Sequence, residues 1–327
     1  MFLVSKFLRG SAVESFHVGY AVIVDEKDTL LFAAGEPDYP VFIRSAAKPF
    51  QAVAVLEAGA MEKYKLSEEE LAVMCASHNG EHFHVDAVSS MLKKIDLTID
   101  HLKCGVHPPL DRQIYEQLAI QGRRPTALHN NCSGKHAGML ALAKILGANL
   151  ENYLDSTHPV QQKIFEKIKY YSGKERIPVG VDGCNAPTFL MPLRAIAGMY
   201  RKLIAGQDDY LCKVQHAMIT HPKYVGGRAR FDTDFMTLLG GRGVAKIGSE
   251  GVRGIGLRTE EGNTIGIAIK VLSGNWEACD SMSVAVLKHN NLIDEETAKK
   301  LEHYASPTLR SHTEAETGKI VTDINAE

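Results

Sequence analysis

The sequence lacks most of the features that assign a chain on sight. Its 327 residues include one tryptophan and six scattered cysteines, with no C-x-x-C spacing among them. That excludes a disulfide-stapled small domain, which a chain this long does not need, and it excludes the common paired-cysteine zinc motifs. Lys and Arg (37) nearly balance Asp and Glu (39), and no basic run stands out, so no nucleic-acid partner is expected. No apolar stretch reaches the roughly 18–20 residues that span a bilayer, so no membrane partner is expected either. The N-terminus is apolar only over Met1–Val4 before Lys6 and Arg9 intervene, too short for an export signal. Reduced thiols and a cytoplasmic location are the expectation. There is no internal repeat and no low-complexity linker. What remains is 45% hydrophobic and 23% charged, the balance of an ordinary globular chain with one large core or two modest lobes.

Strand signals gather at the two ends. Val18–Val24 and Leu30–Ala34 are apolar and β-prone, and the turn-forming Asp25–Asp28 joins them into a hairpin. Val41–Arg44 reads as a short third strand. Near the other end, Val244–Gly248, Val252–Leu257 and Thr264–Val271 are β-rich, the last two joined through Glu260–Asn263. Helical patterns fill the middle: 51–59, a segment capped by Ser67 with Glu68–Glu70 in its first turn, 85–94, 112–121, 135–146 stopped by Gly147, 160–171, 193–205, 211–220 and 232–239. Two more, 277–289 and 294–304, follow the late strands, and the last twenty residues give no clear pattern. The simplest fold is α/β (α+β): an antiparallel sheet from N- and C-terminal strands with a helical lobe between. The expected division of this single catalytic unit is a sheet lobe at 1–44 plus 240–327 and a helical lobe at 45–239. A cleft is expected where the lobes join.

The candidate chemistry starts at Arg44-Ser45-Ala46-Ala47-Lys48-Pro49, where a strand gives way to a helix. A serine becomes nucleophilic when a neighbour takes its proton, and a neutral lysine one helical turn on can do so. The same spacing in Ser90–Lys93 falls on an exposed helix and carries nothing. Penicillin-recognising serine enzymes order three elements as S-x-x-K, S-x-N and K-[ST]-G. Here Ser45/Lys48, Ser77-His78-Asn79 and Lys246-Ile247-Gly248 stand in that order, although Ile247 replaces a hydroxyl residue. A second constellation, Asn130-Asn131-Cys132-Ser133-Gly134-Lys135-His136, opens a helix, so its backbone N–H groups suit a carboxylate or a developing oxyanion. A third, Asp182-Gly183-Cys184-Asn185, offers an acid, a thiol and an amide. By spacing alone, Cys132 and Cys184 read as two core cysteines. His82 and His84 read as part of a solvated loop.

Together with Cys75-Ala76-Ser77-His78 and Cys104-Gly105-Val106-His107-Pro108, these blocks resemble the Rhizobium etli-type L-asparaginases, the third structural class of asparaginases. The resemblance implies a serine-β-lactamase-like fold, hydrolysis of L-asparagine to L-aspartate and ammonia, and a homodimer. It implies two Ser–Lys tandems, Ser45 with Lys48 and Ser77 with Lys246. It also implies one zinc ion held by Cys132, Lys135 and Cys184, close to the substrate and aiding its binding more than the chemistry. Arg44, Asn131 and Asp182 are then candidates for binding the substrate, Asp182 at its α-ammonium. Two lysines in one cleft disfavour each other's protonation, which would leave one neutral to act as a base. A glutaminase or β-lactamase-like amidohydrolase, and a non-catalytic amino-acid sensor, are the alternatives the residues leave open.

Overall fold

The structure, a computed structural model, describes residues 1–325. Its strands are β1 (Phe2–Arg9), β2 (Ala12–Val24), β3 (Leu30–Ala34), β4 (Pro40–Phe42), β5 (Val179–Val181), β6 (Pro187–Pro192), β7 (Gly243–Gly248), β8 (Val252–Arg258), β9 (Thr264–Val271), β10 (Thr308–Arg310) and β11 (Glu316–Asn325). The helices are α1 (Lys48–Glu57), α2 (Ala60–Tyr64), α3 (Glu68–Met74), α4 (His82–Lys94), α5 (Arg112–Ile120), α6 (Ser133–Ile145), α7 (Pro159–Ser172), α8 (Leu193–Ala205), α9 (Asp209–Thr220), α10 (Pro222–Val225), α11 (Phe231–Leu239), α12 (Trp276–His289), α13 (Glu295–Lys300) and α14 (Glu302–Ala305). None of these helices is long and apolar enough to cross a membrane. The fold is α/β, with an antiparallel sheet built from both ends of the chain and helices filling its middle. Chain contacts divide it into a sheet unit (Met1–Ala46, Met191–Ala205, Leu238–Glu327) and a helical unit (Ala47–Leu190, Gly206–Thr237). Helix α8, inside the segment expected to be the helical lobe, belongs to the sheet unit, as does Ser45.

In the sheet unit the strand order is β10-β11-β1-β2-β9-β8-β7. β2 is long enough to take β9 along one edge and, along the other, first β1 and then β3. The expected hairpin of residues 18–34 is present, with Ala21 opposite Ala34. The third strand is shorter than expected: it ends at Phe42, because Arg44 takes a left-handed backbone (φ +51°) that breaks extension and starts a single 3-10 turn over Arg44–Ala47. Within the described part of the C-terminal stretch, Thr308–Arg310 and Glu316–Asn325 form β10 and β11, and β11 pairs with β1, Leu3 opposite Ile324. Neither β1 nor β11 carries a strong local signal. Their half-exposed, mixed side chains become strands through pairing with each other across the whole chain length.

The sheet is covered on both faces. Side chains alternate across a strand. Gly254 and Gly256 of β8 face α8, where an added Cβ would meet the Tyr200 ring at 2.0 Å and the Tyr200 carbonyl at 2.4 Å. Arg253, the residue before Gly254, faces α12 instead. It is buried, donates to Asp280 at 2.6 Å and to the Ser283 hydroxyl at 2.9 Å, and so places its charge beside a carboxylate. Helix α8 repeats apolar residues at Leu193, Ile196, Ala197, Tyr200, Leu203 and Ile204, the spacing of one buried stripe.

The helical unit is organised on α1, buried from Lys48 to Leu56 and surrounded by α3, α6, α7 and α9. Its run Ala52–Leu56 is apolar on every side, as a central helix requires. Helix α6 is buried over Ser133–Ala143. Ser67 caps α3 in a full capping box with Glu70. Strands β5 and β6 form an antiparallel hairpin, Val181 opposite Pro187. Ser90 and Lys93 lie on α4, with Lys93 exposed. His82 and His84 are the first and third residues of that helix rather than a solvated loop. His84 is buried: Nδ1 accepts the Glu81 N–H at 3.2 Å, and Nε2 donates to the Lys223 carbonyl at 2.9 Å.

The closest approach of α8 to the sheet is at Gly266, where a Cβ would stand 1.9 Å from the Ala197 carbonyl. Gly266→Ala is expected to lower unfolding stability by about 2–3 kcal/mol, read from urea denaturation, because backbone rather than a flexible side chain must yield. An unchanged midpoint would show that α8 does not seat on β9 this tightly.

Candidate active site

The sheet unit presents Ser45 on a tightly held turn. The Ala46 N–H donates to Ile43 O at 3.2 Å, and the Ala46 carbonyl accepts from the Tyr200 hydroxyl at 2.8 Å. Gly248, at the end of β7, lies against this turn: a Cβ there would meet Ile43 O at 2.8 Å and Ala46 N at 3.2 Å. The left-handed Arg44 redirects the chain just before Ser45, which is 5% exposed. A non-glycine residue held in that region stores strain, and such strain gathers at functional turns. Lys246, two residues before Gly248 on the same strand, is fully buried and donates from Nζ to the Ile247 carbonyl at 2.6 Å.

The helical unit holds the second group. Lys48 is 1% exposed, and its Nζ hydrogen-bonds the Ala76 carbonyl, the Ser77 hydroxyl at 3.2 Å and the Asn131 carbonyl at 3.3 Å. Two of these partners only accept. The third, Ser77, both donates and accepts, so this contact lets a proton pass between hydroxyl and amine. The Ser77 loop is fixed by Ser77 N–H to Val225 O and Asn79 N–H to Gly226 O, both at 3.0 Å. Below it His78 donates to the Ser133 hydroxyl at 2.9 Å, accepts the Gly80 N–H, and stacks on His84 at 4.8 Å. Burial drives the His78 and His84 pKa values down, that of His84 to about 4, so both rings are neutral props.

The start of α6 carries the third group. Asn130 laces it to the preceding loop. The Asn130 side chain accepts the Cys132 N–H at 2.8 Å and donates to the Cys104 and Gly105 carbonyls at 2.8 and 3.2 Å. The Asn131 N–H donates to His107 Nε2 at 3.0 Å, and the Ser133 N–H to Asn130 O at 2.9 Å. The amides of residues 131–133, which the sequence offered to an anion, are thus used inside the chain. The Asn131 carboxamide oxygen lies 3.2 Å from the Cys132 sulfur, an alternative to Cys184 as acceptor for its single S–H. Lys135, a turn further on, donates to Cys184 Sγ at 3.0 Å. Cys132, Lys135 and Cys184 are therefore together, though far apart in sequence. Asp182 belongs to the same turn as Cys184, its carbonyl accepting from the Asn185 N–H at 2.9 Å and its carboxylate from the Gly183 N–H at 2.7 Å.

The electrostatics of this cluster are uneven. A hydrogen bond from the Cys132 thiol and the neighbouring Lys135 charge bring the Cys184 thiol down to about 4, against the opposing effect of burial. Cys132, as the donor of that bond, is pushed up to about 12 by it and by burial. Burial works to lower the Lys135 pKa, but Cys184, Cys132 and Asp182 together outweigh it and raise it. These shifts favour a thiolate–ammonium pair of Cys184 and Lys135 with a neutral Cys132 thiol beside it. Among the described residues no three His, Cys, Asp or Glu side chains are placed to hold a metal. The donors here are two sulfurs and an amine nitrogen, a soft set that suits zinc once deprotonated and leaves a tetrahedral ion one open position.

The family model for L-asparaginase II matches residues 5–322. The chain belongs to the L-asparaginase II family. No curated protein matches it. Among solved structures, the protein Mglu in its native form is similar at 14% identity and a TM-score of 0.39, over 85% of this chain and 62% of that one. The TLA-1 extended-spectrum β-lactamase is similar at 13% identity and a TM-score of 0.38, over 88% of this chain and 92% of that one. Neither bears on the chemistry of this asparaginase-family chain. Sequence reasoning passed over three features that hold its candidate residues: the Tyr200 hydroxyl on Ala46, the Asn130 lacing and the His107–Asn131 bond. His107 lay inside a quoted block, yet a lone histidine before proline carries no chemical signature.

In the metal-free protein an ultraviolet thiolate band should be present at neutral pH and vanish as the pH falls through about 4. The depressed pKa means that the anion exists above that value and is protonated below it. Cys184→Ser should abolish the band and Lys135→Met should move its midpoint upward. A band that forms only near the ordinary thiol value of about 8.5 would refute the thiolate–ammonium arrangement.

Proposed function

We propose that this chain is an L-asparaginase of the Rhizobium etli-type, third structural class, hydrolysing L-asparagine to L-aspartate and ammonia. The observation that carries the reading is the buried Lys48 amine, held by two carbonyls and a serine hydroxyl. A neutral amine has two N–H groups and one lone pair. Two carbonyl acceptors and a hydroxyl that can accept or donate accommodate that form as well as the ammonium, so the Ser77 contact can carry a proton to and from the amine, as a general base requires.

Ser45 attacks the side-chain amide carbon, and Lys48, three residues on, takes the hydroxyl proton. The tetrahedral intermediate collapses as that proton passes to the leaving nitrogen, releasing ammonia and an aspartyl ester on Ser45. Water then adds to the ester with Lys48 again as base, and aspartate leaves. Ser77, already bonded to Lys48, relays the proton, with Lys246 as its own basic partner in the second tandem. Arg44 balances negative charge beside Ser45, Asn131 orients the substrate's polar end, and Asp182 receives its α-ammonium.

Cys132, Lys135 and Cys184 are the residues that would hold zinc. When bound, zinc supplies a positive charge that draws in the substrate. The family's habit of pairing makes a homodimer the proposed assembly, with the cytoplasm as its location.

Ammonia release from L-asparagine, run beside L-glutamine, tests the activity. Ser45→Ala and Lys48→Met should each lose at least about 1,000-fold in kcat. Mass spectrometry of the quenched reaction should find the acyl adduct on Ser45. An adduct on Ser77 exchanges the two serines' roles, and no release from either amide refutes the reading. Zinc added to the apoprotein in weak buffer should release about two protons per ion, one each from Cys132 and Lys135, because Cys184 is already ionised. No proton release with no bound zinc would remove the metal from the account.

A further inference from the structure

We propose that His107 is a positioning residue for Lys48, acting through the Asn131 peptide; its kinetic part rests on the amide-hydrolase reading above. His107 Nδ1 lies 2.6 Å from the Pro108 carbonyl. A carbonyl only accepts, so Nδ1 carries the ring proton and Nε2 presents its lone pair. That lone pair receives the Asn131 N–H at 3.0 Å. On the other side of the same residue, the Asn131 carbonyl accepts from Lys48 Nζ at 3.3 Å. The Asn131 carboxamide oxygen lies 3.4 Å from Nε2 and 3.2 Å from the Cys132 sulfur. Asn131 therefore touches both the Lys48 amine and the thiol cluster, and His107 pins its N–H.

The residues just ahead of α6 have no helical hydrogen bonds to hold their N–H groups. Asn130 is fixed by its own side chain on Cys104 and Gly105, and Cys132 by Asn130. Asn131, between them, relies on His107. The Asn131 N–H and carbonyl lie on successive peptide planes joined at its Cα, and the second plane is also held through the Cys132 N–H. Without His107 the first plane loses its tether, and the residue can pivot and shift the carbonyl that Lys48 Nζ binds. The cost falls on proton transfer and not on substrate binding. A displacement of about 1 Å at a reacting group is enough to slow a reaction about 100-fold.

The test compares His107→Ala with His107→Gln, whose side-chain carbonyl reaches the position of Nε2 and accepts the same N–H. His107→Ala is expected to lower kcat on L-asparagine by about 10- to 100-fold with KM within about twofold. It should also speed hydrogen exchange at the Asn131 amide, and His107→Gln should restore both. Should His107→Ala not fold, His107→Asn, whose carbonyl falls short, replaces it. Unchanged kcat in the alanine variant overturns the proposal, and so does a glutamine variant as slow as alanine despite restored exchange protection. If the wild-type protein releases no ammonia from asparagine, the proposed function fails by itself. The exchange pattern then decides the His107 clamp alone: unchanged exchange at Asn131 overturns it, and faster exchange rescued by glutamine supports it.

Discussion

The helical unit depends on where one amine is buried. Lys48 stands at the head of the central helix with almost no solvent contact, and it binds three oxygens from two segments distant in sequence. A buried nitrogen left without partners would cost several kcal/mol. The loops after α3 and before α6 must therefore arrive together around the start of α1. Each has its own anchor: the Ser77 loop on Val225 and Gly226, the Asn131 loop on Asn130 and His107. One polar requirement thus brings the hydroxyl of Ser77 and the head of the thiol-bearing helix to a common point.

The sheet unit meets a different constraint, that of distance between backbones. Gly254, Gly256 and Gly266 let α8 settle directly onto the strands, and Tyr200 of that helix reaches the Ala46 carbonyl. Gly248 performs the same service for the turn that carries Ser45. The seat of the serine is thus fixed by missing side chains together with one long phenol.

Much of this was legible in advance, and the failures share a cause. The hairpin of β2 and β3, the late strands β7–β9 and the principal helices carry their own periodicity, so local pattern sufficed. The strand pair β1–β11 has little pattern of its own and exists through a partner more than three hundred residues away. Arg44 stopped β4 early because a left-handed arginine has no sequence signature, unlike a glycine. Ser45, Lys48, Ser77 and the Cys132, Lys135 and Cys184 set were visible as motif residues. Their supports were not, since the bonds of Asn130, His107 and Tyr200 are products of the tertiary fold. His84 looked solvated because histidine is polar. It is buried because both ring nitrogens find backbone partners.

The thiolate–ammonium pair has a bearing on how the molecule matures. Zinc-finger domains collapse around their ion and are unfolded without it. Here Lys135 supplies the positive charge that Cys184 needs, and Cys132 adds a hydrogen bond, so the cluster is neutralised from within. A chain built this way can complete its fold without an ion, and the proposed zinc would then be taken up by a finished site, displacing protons from nitrogen and sulfur. Scarcity of metal would then produce folded, waiting molecules rather than misfolded ones, and the pool could be charged on demand.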